Sequence, residues 1–305
     1  MTDSGRKQSI ILIENFANNI LGGDIDKLKD FSFLNLNTDT KYHQDEFKNK
    51  IGTEQIEMYG GYFIKNGHKS TLHQDINDYD DMNLIRAINT LLYINSKNNK
   101  MSELNWNDLN WEYESEKPKY EKYKYRGETI NTFNTLINES YYEEYFNYNK
   151  TLVDKITKFR LKVFSMGNFM LLPNIKIGSK SLNLYKGSCL GDYSDRFFNH
   201  ILKKDNEYIN ELLNINPFWY NSFSDKKDIE DFINYNYLQD YFDNNNKLNY
   251  NFAPYYAHWF FDKAQDIEEK TIYASYINKY IDIVTDKIDK RAERMIADLK
   301  NIIKD

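Results

Sequence analysis

Apolar positions recur in steps of three and four along several stretches of the chain. In "RKQSIILIENFANNILGG", Ile10, Ile13, Phe16, Ala17, Ile20 and Leu21 keep a helical spacing that stops at Gly22-Gly23, which predicts an amphipathic helix with a glycine stop. "DYDDMNLIRAINTLLYINSK" predicts a second helix. Asp78, Asp80 and Asp81 stand at its start, where carboxylates favour the positive end of the helix dipole, and Met82, Ile85, Ile88, Leu91 and Leu92 form its apolar face. Ile130, Phe133, Leu136 and Ile137 predict another, as do Leu152, Val153, Ile156 and Phe159, and further helices are expected over 193–204, 206–214 and 226–242. At the C-terminus, Ile277, Ile281, Val284, Ile288, Ala292, Met295, Leu299 and Ile302 recur with no Gly or Pro between them, predicting one long helix. Their spacing lies between a coiled-coil seam and a straight helix, so residues 277–302 suit either a core stripe or the seam of a homodimer or protein partner.

Elsewhere the period changes. From Phe31 to Asp75 the pattern weakens into loops with one or two short strands around "MYGGYFI". "VFSMGNFMLLPN" and "SLNLYKG" predict two short strands about a turn at Gly178, with Pro173 ending the first. In "KYEKYKYRG" the cations Lys122, Lys124 and Arg126 alternate with Tyr123 and Tyr125, as on a half-buried strand. The expected fold is therefore mainly α with a small β-hairpin or sheet from about 119–126 and 163–186, an α+β class dominated by helices. Strands and helices do not alternate, which argues against a doubly wound sheet. Residues 1–265 are expected to form one helix-rich domain with a sub-boundary near 97–118, where Trp106 and Trp111 argue for a packed connection, and 266–305 the long helix.

Composition narrows the function classes. The 305 residues are 41% hydrophobic, enough to bury a core, while a net charge of −6 argues against a protein that coats nucleic acid. Any phosphate contact must be local. Cys189 is the only cysteine, no apolar run approaches a bilayer span of about 20 residues, and no leader pattern follows Met1. These features predict a soluble cytoplasmic protein with no membrane partner.

Three segments in order, "YRGETINTFNTL", "SMGNFMLLPN" with "SLNLYKG", and "DYSDRFFNHIL" leading to "DIEDFINYNYLQDYF", resemble a family of uncharacterised bacterial proteins carried as a domain of unknown function. Its members share an Arg-Gly-acid-Thr turn, a Gly-Asn-Phe segment and an Asp-Arg-Phe helix. The likeness covers about residues 123–243 and implies a bacterial or phage setting, with phage defence or a mobile element as the associated context, and no particular reaction.

The candidate site residues fall in those segments. Gly127 permits a tight turn after the basic strand, and Glu128-Thr129-Ile130 would open a helix whose free amides, with Arg126, hold one phosphate of a nucleotide or RNA. The alternative is that Glu128 itself serves as the anion at the helix start and Arg126 pairs with a carboxylate. Asn168 in the Gly-Asn-Phe segment and Arg196 complete the ligand-binding set. Asp192, Arg196 and His200 are the weak catalytic candidates: the Arg-His pair invites comparison with ribonucleases that bracket a scissile phosphate, but its spacing is shorter. Against this stands an N-capping aspartate on a helix that buries Phe197 and Phe198. His43 with Asp45 and Glu46, and His68 with His73 and Asp75, lie in a region expected to be surface loop, without metal-ligand spacing. No serine elbow, Cys-His arrangement or multi-glycine phosphate loop occurs, so neither a cofactor nor a metal is expected. The aromatic runs "NPFWYNSF" and "FAPYYAHWFF" suit core packing or a partner surface.

Overall fold

A computed structural model of the chain describes residues 3–39, 41, 43–65, 68–71, 82–95, 125–131, 139–173, 176–177, 180–181, 230, 233–245, 247, 249 and 267–304. Helices dominate: α1 (Asp3–Asn19), α2 (Thr53–Gly60), α3 (Asn83–Asn95), α4 (Glu139–Tyr145), α5 (Lys150–Val163) and the long C-terminal α6 (Ile267–Lys304). Three small antiparallel pairs accompany them: β1 (Tyr62–Lys65) with β2 (His68–Thr71), β3 (Tyr125–Thr129) with β4 (Phe169–Pro173), and β5 (Lys176–Ile177) with β6 (Lys180–Ser181). This is the helix-dominated α+β class that the hydrophobic spacing predicts. Two compact units form, one from Met1–Thr129, Phe164–Ile175 and Ala292–Asp305, the other from Ile130–Val163 and Lys176–Arg291. The stretch 97–118, the predicted helices 193–204 and 206–214, and both aromatic runs lie outside the described residues. Among the described residues no helix is long and apolar enough to cross a membrane.

In the first unit α1 buries Ile13, Phe16 and Ala17, and the turn after it buries Ile20 and Leu21. The helix ends because Gly22 and Gly23 take φ of 73° and 85°, and the Gly23 N–H reaches the Ala17 carbonyl at 2.9 Å. An added Cβ at Gly22 meets nothing within 4 Å, so Gly22→Ala tests the backbone conformation alone. A loss of about 1 kcal/mol in chemical denaturation is expected, with Gly22→Asn losing less; equal or greater stability of the alanine variant would contradict the left-handed turn.

Edge-to-face rings fill the space beyond the turn. Phe16 meets Phe31 and Tyr59, Phe31 meets Phe33 and Phe47, and Phe33 meets Phe169, with centroids 4.9–5.7 Å apart. α3 buries Ile85, Ile88, Leu91 and Leu92 as its spacing predicts, with Met82 buried just before it, and also Leu84, Arg86, Ala87 and Asn89, so it is an interior helix. Asp78, Asp80 and Asp81 lie outside the described residues.

Two expectations are corrected. The region 31–75 contains α2 in addition to loops and the β1–β2 hairpin. Gln55 accepts the Gly52 N–H at 3.1 Å to close the start of α2, Ile56 and Tyr59 face inward, and Gly61 at φ 93° ends it. A helix of two turns offers too few apolar repeats to register as a period. The second correction concerns 226–242, which is not one continuous helix. It stops at Tyr235, turns through Tyr237 at φ 56°, and resumes as a 3-10 turn at Gln239–Tyr241.

In the second unit α5 buries Leu152, Ile156, Phe159 and Val163, and Phe159 meets Tyr280 of α6 edge to face at 5.8 Å. Lys155 pairs with Asp282 at 2.6 Å, and Lys162 pairs with Asp289. Each partner in the second pair lies one heptad beyond its counterpart in the first, so α5 and α6 run parallel. The eight predicted positions of α6 are all buried, Ile277, Ile281, Val284 and Ile288 with Ala274, Tyr280, Lys287 and Arg291 in the second unit, and Ala292, Met295, Leu299 and Ile302 with Ile296 in the first. Adjacent residues are buried turn after turn, a stripe wider than a two-position coiled-coil seam.

Candidate functional site

The Arg-Gly-Glu-Thr segment is a strand throughout. Tyr125 pairs with Pro173, Arg126 with Leu172, Gly127 with Leu171, Glu128 with Met170 and Thr129 with Phe169. This corrects the expected turn at Gly127 and helix start at Glu128: the ladder runs on to Thr129, and no helical amides are presented at Glu128-Thr129-Ile130. Phe169 and Met170 are fully buried and Thr129 nearly so, and backbone groups at such depth need partners, which the continued pairing supplies.

The Gly-Asn-Phe segment sits at the start of β4. Met166–Asn168 is a 3-10 turn in which the Asn168 N–H donates to the Ser165 carbonyl at 3.0 Å. The Phe33 N–H donates to the Phe164 carbonyl at 2.7 Å, Ser32 bridges Ser165, and the rings of Phe33 and Phe169 pack at 5.7 Å. Thr129 opposes Phe169, so the Arg-Gly-acid-Thr and Gly-Asn-Phe motifs lie side by side, although the Asn168 side chain is 0% exposed. Asp192, Arg196 and His200 lie outside the described residues.

A buried polar network adjoins this turn in the first unit. Asn35 and Gln44 exchange hydrogen bonds: the Asn35 amide donates to Gln44 Oε1 at 2.7 Å and the Gln44 N–H donates to Asn35 Oδ1. Asn35 also donates to the Ser32 carbonyl at 2.7 Å. His43, expected on a surface loop, is buried, with Nε2 2.9 Å from the Asn37 carbonyl, because these bonds fold the loop back on itself. Ser32 Oγ and His43 Nδ1 are buried and have no hydrogen-bond partner among the described residues. Among the described residues no group of three His, Cys, Asp or Glu is placed to share a metal ion.

The second unit holds a polar cluster that sequence reasoning missed. Lys287 and Arg291, one turn apart on α6, are 5% and 1% exposed. Lys287 Nζ donates to the Asp240 carbonyl at 2.6 Å and to Asn249 Oδ1 at 2.5 Å, and lies 5.4 Å from the centre of the Tyr241 ring. Arg291 Nε donates to the Asn236 carbonyl at 2.8 Å, and the Asn131 amide donates to the Tyr241 hydroxyl at 2.9 Å. Burial pushes the Tyr241 phenol well above its ordinary range, against the opposing influence of Arg291 and the Asn131 hydrogen bond. The available signal was two cations four residues apart, each beside a position of the apolar stripe.

Compared with known proteins, the chain matches no family model, no curated protein and no solved structure.

Proposed function

We propose that the β3–β4 pair carries a site for a phosphate-bearing ligand, a nucleotide or an RNA, with Arg126 meeting the phosphate. What supports this reading is the strand register, in which two motifs distant in sequence adjoin, Arg126 opposite Leu172 and Thr129 opposite Phe169 beside Asn168. A guanidinium presents a planar fork that suits phosphate oxygens. Asn168 is buried at the start of β4, where its backbone N–H donates to the Ser165 carbonyl. The net charge of −6 confines such recognition to a local patch. In the bacterial or phage setting that the sequence resemblance implies, a ligand of this kind fits a defence or mobile-element component.

The competing reading is a non-enzymatic protein-interaction module, a defence component or inhibitor, acting through residues 277–302 and the aromatic runs; the stripe of the helix is buried within the chain, and the aromatic runs lie outside the described residues. The test is a binding panel of nucleoside mono-, di- and triphosphates and a short single-stranded RNA, read by thermal shift and by mass spectrometry of molecules retained on the purified protein. Arg126→Ala is expected to weaken binding at least about tenfold, as loss of a charged hydrogen bond does, while its melting in the absence of ligand stays near wild type. Equal shifts for the two proteins across the panel, or no shift for either, would overturn the assignment.

A further inference from the structure

We infer that the turn Asn236–Tyr241 is a latch: a strained backbone segment held shut by Lys287 and Arg291 of α6 and poised to open as a unit while α6 stays folded. The strain is local and specific. The Leu238 N–H donates to the Ile233 carbonyl at 2.8 Å and the Tyr237 N–H to the Asn234 carbonyl at 3.2 Å, the pair of bonds that ends a helix in a Schellman motif. That motif places its penultimate residue in the left-handed region, where glycine is the usual occupant. Here it is Tyr237, at φ 56°. A bulky residue in that conformation persists only where the surroundings over-determine it.

The surroundings do so with polar groups. Arg291 takes the Asn236 carbonyl and Lys287 takes the Asp240 carbonyl, so both cations occupy acceptors that a helix end leaves free and stabilise its negative pole. Asn249 returns to the turn, its amide donating to the Asp240 carbonyl at 2.7 Å and its N–H to the Tyr241 carbonyl at 3.1 Å. Leu238 and Tyr241 are fully buried beneath these bonds. Hydrogen bonds and one strained residue thus concentrate in a short segment, whereas α6 is held by a long apolar stripe. Segments of such different construction open at different free energies.

Native-state hydrogen exchange on the full chain tests this. In the wild type, the amides of Leu238 and Tyr241 are expected to exchange faster than those of residues 281–299 and with little dependence on denaturant. Lys287→Met keeps the stem and removes the donors, so it should raise exchange at Leu238 and Tyr241 at least about tenfold with residues 281–299 unchanged. Tyr237→Gly relieves the backbone strain and should slow exchange at the same two amides roughly fivefold. Exchange of the turn at the rate and denaturant dependence of α6, or a Lys287→Met effect spread evenly over both, would overturn the latch. The wild-type comparison decides the matter even if a variant fails to fold.

Discussion

Phe31→Ala is expected to lower the stability of the chain by about 3–5 kcal/mol, the range for removing a fully buried aromatic ring. Phe31 is 0% exposed and makes edge-to-face contacts with Phe16 at 4.9 Å, Phe33 at 5.6 Å and Phe47 at 5.0 Å. Truncation therefore removes three ring pairs, each contributing about 0.5–1.5 kcal/mol beyond its buried area, and leaves a cavity bounded by stiff rings that collapse poorly. Since domains are stable by about 5–15 kcal/mol in total, a loss of this size should be plain in a thermal or urea transition. Phe31→Leu fills part of the space and should lose less. The consequence reaches the candidate site, because Phe33, packed on Phe31, also packs on Phe169 at the start of β4. A Phe31→Ala protein with wild-type stability would mean that these rings do not form the core of the first unit.

The parts of the fold that were legible in the sequence are those where one force acts without interruption. The stripe of α6 could be read because eight apolar side chains keep one period with no helix breaker, and all eight are buried. The end of α1 could be read because adjacent glycines permit a conformation that other residues resist. What escaped were cases where a local rule met a distant partner. Gly127 suggests a turn when read locally, yet β4, contributed by a remote stretch of chain, holds it in a ladder opposite Leu171. Lys287 and Arg291 look like solvated residues because cations are seldom buried unless partnered, and their carbonyl acceptors at Asp240 and Asn236 carry no sequence mark. Tyr237 escaped for a related reason, since no periodicity announces a tyrosine in the left-handed region. Of the candidate site, the small sheet expected from about 119–126 and 163–186 is present as the β3–β4 pair, whereas the helix start expected at Glu128 is strand.

Ile288→Asp is expected to prevent the second unit from folding, and the way it fails separates the two uses the sequence allowed for the C-terminal stripe. Ile288 is 0% exposed, flanked along α6 by Val284 and Ala292, which are equally buried, and beside Lys287 and Arg291, which donate to carbonyl and amide oxygens. An aspartate there must either stay ionised in an apolar setting or bind a proton. Each outcome removes about 4 kcal/mol or more when the isoleucine packing is lost as well. Ile288→Ala is the milder companion, expected to lose about 2–5 kcal/mol. Because the stripe packs within its own chain, the lower melting temperature of Ile288→Ala should not depend on protein concentration, and sedimentation should show the same mass as the wild type. A dimer seam would behave differently: the alanine variant would keep its fold, dissociate on dilution and recover its melting temperature as concentration rose. That second pattern would return residues 277–302 to the role of an interaction surface and remove the ground on which phosphate binding by β3 and β4 is preferred.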